Sequence, residues 1–247
     1  MTGMLASVTS IKEAALVLNA GVDIIDLKNP ELGALGALET NLVSDIVESI
    51  SRASLTSATI GDIEPNDPAL YELIISMANT GVDYVKVGLF NEQANECFIE
   101  VLNQAAKKNI KIIVVLFAEN YSSLVSLDDL MRSGISGVML DTKNKSDKNL
   151  LSLLNRQELD EFVRLAKLHD LVTGLAGSLR YEDISSLLDI EADYLGFRGA
   201  LCSENDRVKS IVTKNIFRIR NAITQKKIIN YGDAEYRDEV ISNGSMA

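Results

Sequence analysis

GVDIIDLKNP, from Gly21 to Pro30, and GVDYVKVGLF, from Gly81 to Phe90, are two copies of one sequence pattern. In each copy, a glycine that ends a helical pattern is followed by an aspartate and then by a short run rich in β-branched residues, which is typical of a β-strand. Each run also carries a lysine, Lys28 in the first copy and Lys86 in the second. An ammonium group in an apolar strand is costly unless it has a partner. The repeat therefore predicts two β-strands and, through its lysines, indicates where the functional site lies.

Two weaker copies follow, SGISGVMLDTK from Ser133 and IEADYLGFRGA from Ile190. We call the aspartate of the pattern the frame residue. It is Asp23 in the first copy and Asp83 in the second, and the equivalent positions in the weaker copies are Ser136 and Asp193. Side chains along a strand alternate between two faces, so the third and fifth positions after each frame residue share one face. Those positions hold Asp26, Lys28, Lys86, Gly88, Met139, Asp141, Gly196 and Arg198. We expect four strands to direct their charged side chains toward one place.

The whole chain alternates short β-branched runs with helical patterns. Strands are predicted at Met4–Val8, Val22–Leu27, Ser54–Ile60, around Lys86, and at Ile110–Phe117, Gly137–Leu140, Leu171–Ala176 and Asp193–Phe197. Helices are predicted after Ser10, from Thr40, after Pro68, at Glu92–Lys108, Leu124–Arg132 and Arg156–His169, from the segment Gly177–Arg180, and at Asp206–Thr224.

Eight strands joined by helical crossovers favour an α/β fold, a single-domain (β/α)8 TIM barrel over residues 1–225. An open doubly wound sheet is the alternative. The repeat falls on strands two, four, six and eight, as expected where alternate strands fill common layers inside a closed barrel. Residues 226–247 are expected to be a C-terminal extension or a partly disordered tail.

The charge balance limits the partners of this protein. The 247 residues contain 24 Lys and Arg against 35 Asp and Glu, a net charge of −11. Such a chain repels nucleic acid and anionic membranes, so neither partner is expected. No apolar run of about 18 residues and no signal pattern is present, and the expected location is cytoplasmic. The two cysteines are predicted to be buried, His169 to lie at a helix end, and no metal or cofactor is expected.

The candidate site lies at the C-terminal ends of the predicted strands, where TIM barrels carry their active sites. This end should hold Asp26, Lys28, Asp62, Lys86, Asp141, Lys145, Ser178 and Arg198. A lysine in a strand is more often a solvated edge residue. Val85 and Val87 must face the helices of a barrel, however, and this leaves Lys86 facing its interior.

Two lysines near an aspartate suit carbonyl chemistry. Desolvation and a neighbouring positive charge both favour the neutral amine, which attacks a carbonyl to form a Schiff base or accepts a proton. The substrate is therefore predicted to be an aldehyde or a ketone.

Two glycine turns indicate where a phosphate would bind. Gly177–Ser178 follows the seventh strand and Arg198–Gly199 follows the eighth, the usual phosphate site of TIM barrels. Asp62 is assigned to the same substrate-binding group. We expect Arg198 to face an open mouth, and a structural ion pair between Arg198 and Asp141 is the alternative.

The motifs DIIDLKNPELGALG, SATIGD, DYVKVGL, VMLDTKNK, LAGSL and LGFRGALC occur in this order, and the region from about Leu5 to Arg220 resembles the (5-formylfuran-3-yl)methyl phosphate synthase family. The resemblance implies a TIM-barrel lyase of methanofuran biosynthesis that condenses two glyceraldehyde 3-phosphate molecules, with loss of phosphate and water. It implies that Lys28 forms the Schiff base and that Lys86 accepts a proton. By the same resemblance, Asp26, Asp141 and Lys145 support them.

Two other functions are compatible with the same residues. One is a class I aldolase that acts on another sugar phosphate through the same lysines. The other is a non-catalytic barrel that binds a phosphorylated ligand, because fold alone does not decide function. The expected partner is a small-molecule triose phosphate, and a homo-oligomer is left open.

Overall fold

The computed structural model describes residues 2–90, 95–123, 127–144 and 148–224. Eight parallel strands close into a barrel in chain order, and the last strand pairs with the first. The strands are β1 Gly3–Val8, β2 Ile24–Leu27, β3 Leu55–Thr59, β4 Tyr84–Leu89, β5 Ile112–Phe117, β6 Gly137–Asp141, β7 Val172–Leu175 and β8 Tyr194–Phe197. The predicted TIM barrel is confirmed, and the open sheet is wrong.

Helices follow the strands on the outside of this barrel. They are α1 Ile11–Asn19, α2 Thr40–Ile50, α3 Leu70–Ala78, α4 Glu96–Lys107, α5 Leu127–Met131, α6 Leu150–Leu153, α7 Arg156–Leu168 and α8 Ile184–Leu188, with α9 over residues 213–224. Side chains cap several of them: Ser10 accepts a hydrogen bond from the backbone of Glu13, and Asn155 forms a capping box with Glu158. No helix in the described ranges has the length and apolar character needed to cross a membrane.

The last helix begins later than the sequence predicted. Instead of starting at Asp206, it covers 213–224. A short 3-10 segment, Ser203–Asn205, precedes this point, with positive φ angles of 57° and 55° at Glu204 and Asn205, and residues 206–212 are not helical. Residues 203–210 form a loop, closed by an antiparallel bridge between Cys202 and Ile211. We call residues 203–210 the β8 loop.

Other boundaries differ by a few residues. Asn95 caps α4 by accepting a hydrogen bond from Phe98, so that helix begins after the predicted Glu92; residues 91–94, 124–126 and 225–247 lie outside the described ranges. The segment after β7 opens with a 3-10 turn, Tyr181–Asp183, before α8. Cys97 is exposed and not buried as predicted, because α4 packs through Phe98, Leu102 and Ala105. Cys202 is buried.

The strand alternation places side chains in two cores. Val85 and Val87 belong to the large core between the strands and the helices. A smaller cluster inside the barrel includes Ile24 and Met139, with Tyr84 and Tyr194 packed against it. The first residue after the frame residue thus points inward in three copies, near the N-terminal end of the barrel, and the third and fifth residues after it share this direction.

The frame aspartates have a structural role at the N-terminal ends of the strands. Asp83, which precedes β4, accepts hydrogen bonds from the backbone N–H of Thr56 at 2.7 Å and from its hydroxyl at 2.9 Å. Asp193, which precedes β8, does the same with Thr173, at 2.8 and 2.7 Å. Asp23 accepts from the backbone of Met4 and from the Arg220 guanidinium. Each aspartate therefore ties its own strand to the preceding one.

Candidate active site

A cavity of about 350 Å³ opens at the C-terminal ends of the strands. Its volume falls in the range of small-molecule sites. The sequence-predicted site residues that line it are Lys28, Lys86, Asp141, Gly177, Ser178, Arg198 and Gly199. The barrel thus brings together residues that lie far apart in the chain.

The inner part of the site is an ion pair between Lys86 and Asp26. The Lys86 Nζ atom lies 3.0 Å from Asp26 Oδ1, and both side chains are almost completely buried. Ser57 and Ser7 donate their hydroxyl hydrogens to the two carboxylate oxygens at 2.6 and 2.7 Å. Burial alone would raise the pKa of Asp26, but the Lys86 and Lys28 charges and the two hydroxyls outweigh burial and hold this pKa below its ordinary value. Asp26 is therefore a buried, ionised carboxylate.

The outer part of the site is a second pair, Lys28 with Asp141. The Lys28 Nζ atom lies 3.5 Å from Asp141 Oδ2, and the two side chains are 8% and 5% exposed. The backbone N–H of Thr142 donates to Asp141 Oδ1 at 2.7 Å. The 3.5 Å contact is long for a charge-assisted hydrogen bond, so the Lys28 amine is held near the cavity without a tight partner.

The two pairs lie in successive layers of the barrel. Asp26 and Lys86 occupy the third position after their frame residues, and Lys28 and Asp141 occupy the fifth. The interior of the barrel therefore carries two cationic and two anionic side chains in contact. A lysine and a carboxylate balance each other in each layer, which is the condition for burying both.

The turn after β7 has a left-handed backbone conformation at two successive residues. Gly177 and Ser178 both have positive φ angles, 109° and 52°. A Cβ atom at Gly177 would approach the Thr142 methyl group to 2.7 Å, so glycine is required for the turn to pack against the β6 end. Ser178 is exposed, and the turn lines the cavity.

Arg198 reaches the cavity wall, but its guanidinium is used by the protein itself. It forms an ion pair with Glu13 at 2.6 Å, and the two side chains are 8% and 11% exposed. It also donates to the carbonyl oxygens of Ser7, Arg207 and Lys209 at 3.2, 2.8 and 3.1 Å. The expectation that Arg198 faces an open mouth is wrong.

The reason lies in the backbone at the end of β8. Strand alternation holds only as far as Phe197, and Arg198 has φ −133° and ψ −67°, outside the strand conformation. Its side chain turns toward α1. The structural ion pair that the sequence allowed does exist, but its partner is Glu13 and not Asp141.

Asp62 supports a loop and does not line the cavity. Its carboxylate accepts hydrogen bonds from the backbone N–H groups of Ala34 and Leu35 at 3.0 and 2.6 Å. These residues belong to the loop between β2 and α2, which follows Lys28. The predicted binding residue thus fixes the shape of the loop beside the cavity.

Lys145, the remaining predicted catalytic residue, lies outside the described residues. The described part of its loop is held by Glu119, whose carboxylate accepts the backbone N–H groups of Lys143 and Asn144 at 2.9 and 2.8 Å. Lys143 lies over the Phe90 ring, with its Nζ 5.4 Å from the ring centre. Sequence reasoning missed Glu119, because a loop contact across 24 residues has no periodic signal.

Ser7 and Ser57 were also missed, although a signal for them existed. Both align with Asp26 in the strand register, and residues in register point to the same side of a parallel sheet. Within the described ranges, no three His, Cys, Asp or Glu side chains come together as a metal site.

A family model for 4-HFC-P synthase matches residues 4–220. The chain belongs to this family. It is 32% identical over 227 residues to the (5-formylfuran-3-yl)methyl phosphate synthase of Methanopyrus kandleri, covering 87% of this chain and 95% of that protein. With the corresponding synthase of Methanobrevibacter smithii it shares 35% identity over 216 residues, 83% of this chain and 91% of the other. The family resemblance seen in the sequence motifs is confirmed.

Solved structures with low sequence identity share the fold. The 3-keto-L-gulonate-6-phosphate decarboxylase of Vibrio cholerae superimposes with a TM-score of 0.62 at 15% identity, covering 91% of this chain and 98% of that one. A 3-hexulose-6-phosphate synthase gives 0.62 at 17% identity, with 89% and 99% covered. At these identities the likeness describes the barrel alone.

Proposed function

We propose that this protein condenses two molecules of glyceraldehyde 3-phosphate to (5-formylfuran-3-yl)methyl phosphate through a Schiff base on Lys28, a lyase reaction of methanofuran biosynthesis. The observation that carries the proposal is the pair of buried lysines at the cavity, each in contact with a carboxylate. Membership in a family whose relatives carry the name of this synthase supports the same reaction. Relative to the substrates, one phosphate and two water molecules leave.

Lys28 is the proposed nucleophile because it borders the open cavity and its contact with Asp141 is loose. Asp141 Oδ2 accepts a proton from the Lys28 ammonium across the 3.5 Å contact, and the neutral nitrogen bonds to the aldehyde carbon of the first substrate. The aldehyde oxygen leaves as water. The resulting iminium makes the hydrogens on the adjacent carbon more acidic.

Lys86 is the proposed proton acceptor, because it lies one layer deeper and faces the same cavity. Lys86 first releases its own proton to water in the cavity. The neutral amine then removes a proton from the carbon beside the iminium, and Asp26 at 3.0 Å stabilises the ammonium that forms again. The enamine carbon bonds to the carbonyl carbon of the second substrate. Ring closure replaces the Lys28 nitrogen on the former aldehyde carbon by the ring oxygen and so frees Lys28, and loss of phosphate and of water completes the furan.

Backbone groups are the proposed anion ligands at the phosphate end of the cavity. The turn Gly177–Ser178 and the first residue of the 3-10 turn Gly199–Leu201 line it. N–H groups at such turns bind phosphate without adding a side-chain charge. Arg198 is not available for this role as its guanidinium is bound to Glu13 and three carbonyl oxygens.

The test is incubation of the purified protein with glyceraldehyde 3-phosphate, with furan absorbance and released phosphate followed together. We expect one phosphate per furan. An aldolase would form a carbon–carbon bond without releasing phosphate, and a non-catalytic barrel would form no product. Either result would refute the proposed reaction.

Borohydride trapping assigns the lysines. We expect mass spectrometry to find the reduced adduct on Lys28, and Lys28→Arg to form neither adduct nor furan, since a guanidinium is not a comparable nucleophile. Lys86→Gln should still form the adduct while turnover falls by about 10² to 10⁴-fold. An adduct on Lys86, or full turnover by Lys28→Arg, would reverse or remove these roles.

A further inference from the structure

The β8 loop forms one wall of the cavity. Its residues Asn205, Asp206, Arg207 and Val208 line the cavity. The base of the loop is held by the bridge between Cys202 and Ile211 and by the backbone hydrogen bond from Ser203 to Ser210 at 3.2 Å. The loop is therefore a fixed part of the site wall.

Arg198 and Glu13 hold this loop from inside. A guanidinium has five N–H donors, and those of Arg198 make five contacts: two with the Glu13 carboxylate and one each with the carbonyl oxygens of Ser7, Arg207 and Lys209. Glu13 also accepts the backbone N–H of Ile211 at 3.3 Å. The buried pair thus fixes the loop on both sides of Val208 and leaves no Arg198 donor for a substrate.

Arg207 is in a different position. Its backbone carbonyl is held by Arg198, and the residue lines the cavity. Its Nη1 donates to the carbonyl oxygen of Gly33 at 3.3 Å, in the loop that Asp62 clamps beside Lys28. No carboxylate of the described residues is paired with it. Lys28 and Lys86, in contrast, each face a carboxylate.

We propose that Arg207 binds the phosphate group of a triose phosphate in this cavity, and that Arg198 and Glu13 are positioning residues that hold Arg207 at the mouth. The proposal rests on the function proposed above for its substrate. A protein of net charge −11 needs a local cation to hold an anionic substrate. The guanidinium of Arg207 has donors to spare and a planar geometry that suits phosphate.

The ligand for the test is glycerol 3-phosphate, which carries the phosphate of a triose phosphate but no carbonyl group for a lysine to attack. Its affinity is measured by calorimetry beside that of glycerol, for the wild-type protein and for Arg207→Met. We expect Arg207→Met to weaken glycerol 3-phosphate binding by about 10 to 100-fold, the usual loss for a hydrogen bond to a charged group. Arg164→Met removes the same charge from the exposed face of α7 and should bind like wild type.

A double-mutant cycle tests the positioning role. If Glu13 acts through Arg207, then Glu13→Gln weakens glycerol 3-phosphate binding in the wild-type background and has little further effect in Arg207→Met. A merely structural Glu13 would give the same loss in both backgrounds. Thermal midpoints of all the variants check that they are folded.

Unchanged affinity in Arg207→Met overturns the proposal and leaves the phosphate to the Gly177–Ser178 turn. Wild-type protein that binds glycerol 3-phosphate no better than glycerol overturns it too. The outcome is separable from that of the proposed reaction, because binding of this ligand requires no chemistry. If the wild-type protein forms the furan and Arg207→Met binds glycerol 3-phosphate as well as wild type does, only the role of Arg207 is refuted. If Arg207→Met loses binding but the wild-type protein forms no furan, only the proposed reaction is refuted.

Discussion

Asp26 shows how individual residues make a charged interior stable. Its carboxylate is fully buried, and yet its pKa lies below the ordinary value of 3.8, because Lys86, Lys28 and two serine hydroxyls outweigh the cost of burial. The charge is tolerated only as part of this cluster. Removing one member of a buried pair leaves the other without compensation, which is more costly than removing both.

Acid should therefore destabilise the protein through Asp26. A carboxylate whose pKa is lowered in the folded state adds stability at pH values above its unfolded pKa and loses it as the pH falls through the lower folded value. We expect the free energy of unfolding in urea to decrease below about pH 4. Glu13, whose pKa is also lowered despite burial because of its bonds with Arg198, contributes with the same sign.

The variant Asp26→Asn isolates the contribution of this residue. It should be less stable than wild type near neutral pH by about 3 to 5 kcal/mol, because Lys86 loses its carboxylate partner. Its stability should also fall less than that of wild type on acidification. An equal pH dependence for the two proteins would show that Asp26 is not the group that responds.

At the scale of strands and loops, the two ends of the barrel have separate tasks. The frame aspartates join neighbouring strands at the N-terminal ends, while the lysines and their carboxylates lie toward the C-terminal ends. The sequence repeat therefore combines two functions in one short segment. In the GVD copies, the aspartate is structural, and the lysines that follow it, Lys28 and Lys86, line the cavity.

Asp83 provides a test of this division. Asp83→Ala removes the acceptor for the backbone and hydroxyl of Thr56 and should lower the free energy of unfolding by about 1 to 3 kcal/mol. Asp83→Asn is the matched control, since its amide oxygen can still accept one of these hydrogen bonds. The Michaelis constant should not change in either variant. A stable Asp83→Ala protein with impaired kinetics would contradict the division of tasks.

Loops also position the site, and each uses a carboxylate from another element. Asp62 holds the loop after β2, Glu119 holds the loop after β6, and Glu13 holds the β8 loop through Arg198. In the first two cases the carboxylate accepts two adjacent backbone N–H groups. Acidic residues near the cavity thus shape its walls, while Asp26 and Asp141 balance the lysines.

At the scale of the whole molecule, the described residues between 2 and 224 are sufficient to close the barrel and to form a continuous core. The strands from β1 to β8 complete the cylinder, and α9 supplies Ile216, Ile219 and Ile223 to the core. The family model matches residues 4–220. We therefore propose that the segment after Thr224 is not needed for folding or for the site.

A chain that ends at Thr224 tests this domain boundary. Its thermal midpoint should lie within a few degrees of that of the full chain, because the buried residues of α9 are retained. Furan formation per molecule should also be equal. A chain that instead ends before α9, at Asn205, serves as the control and should not fold, since it lacks these three isoleucines and the Arg220 contact to Asp23. A large loss in the chain ending at Thr224 would extend the domain into the tail.

The sequence by itself determined the barrel and the direction of its inward side chains. Period-two alternation and the repeated frame are local properties, so they predicted that Asp26, Lys86, Lys28 and Asp141 share the interior. They could not say which lysine meets which carboxylate, because that depends on the closure and register of the strands.

The tertiary structure alone decided the contacts beyond the strand ends. Arg198 meets Glu13 across 185 residues, and Asp62 meets Leu35 across 27. Once the backbone leaves the strand conformation, as it does at Arg198, alternation no longer fixes where a side chain points. Loop conformation and the packing of distant elements then determine which residue each side chain contacts. For this reason the sequence indicated where the cavity lies, but only the fold separates the residues that face the cavity from those that support its walls.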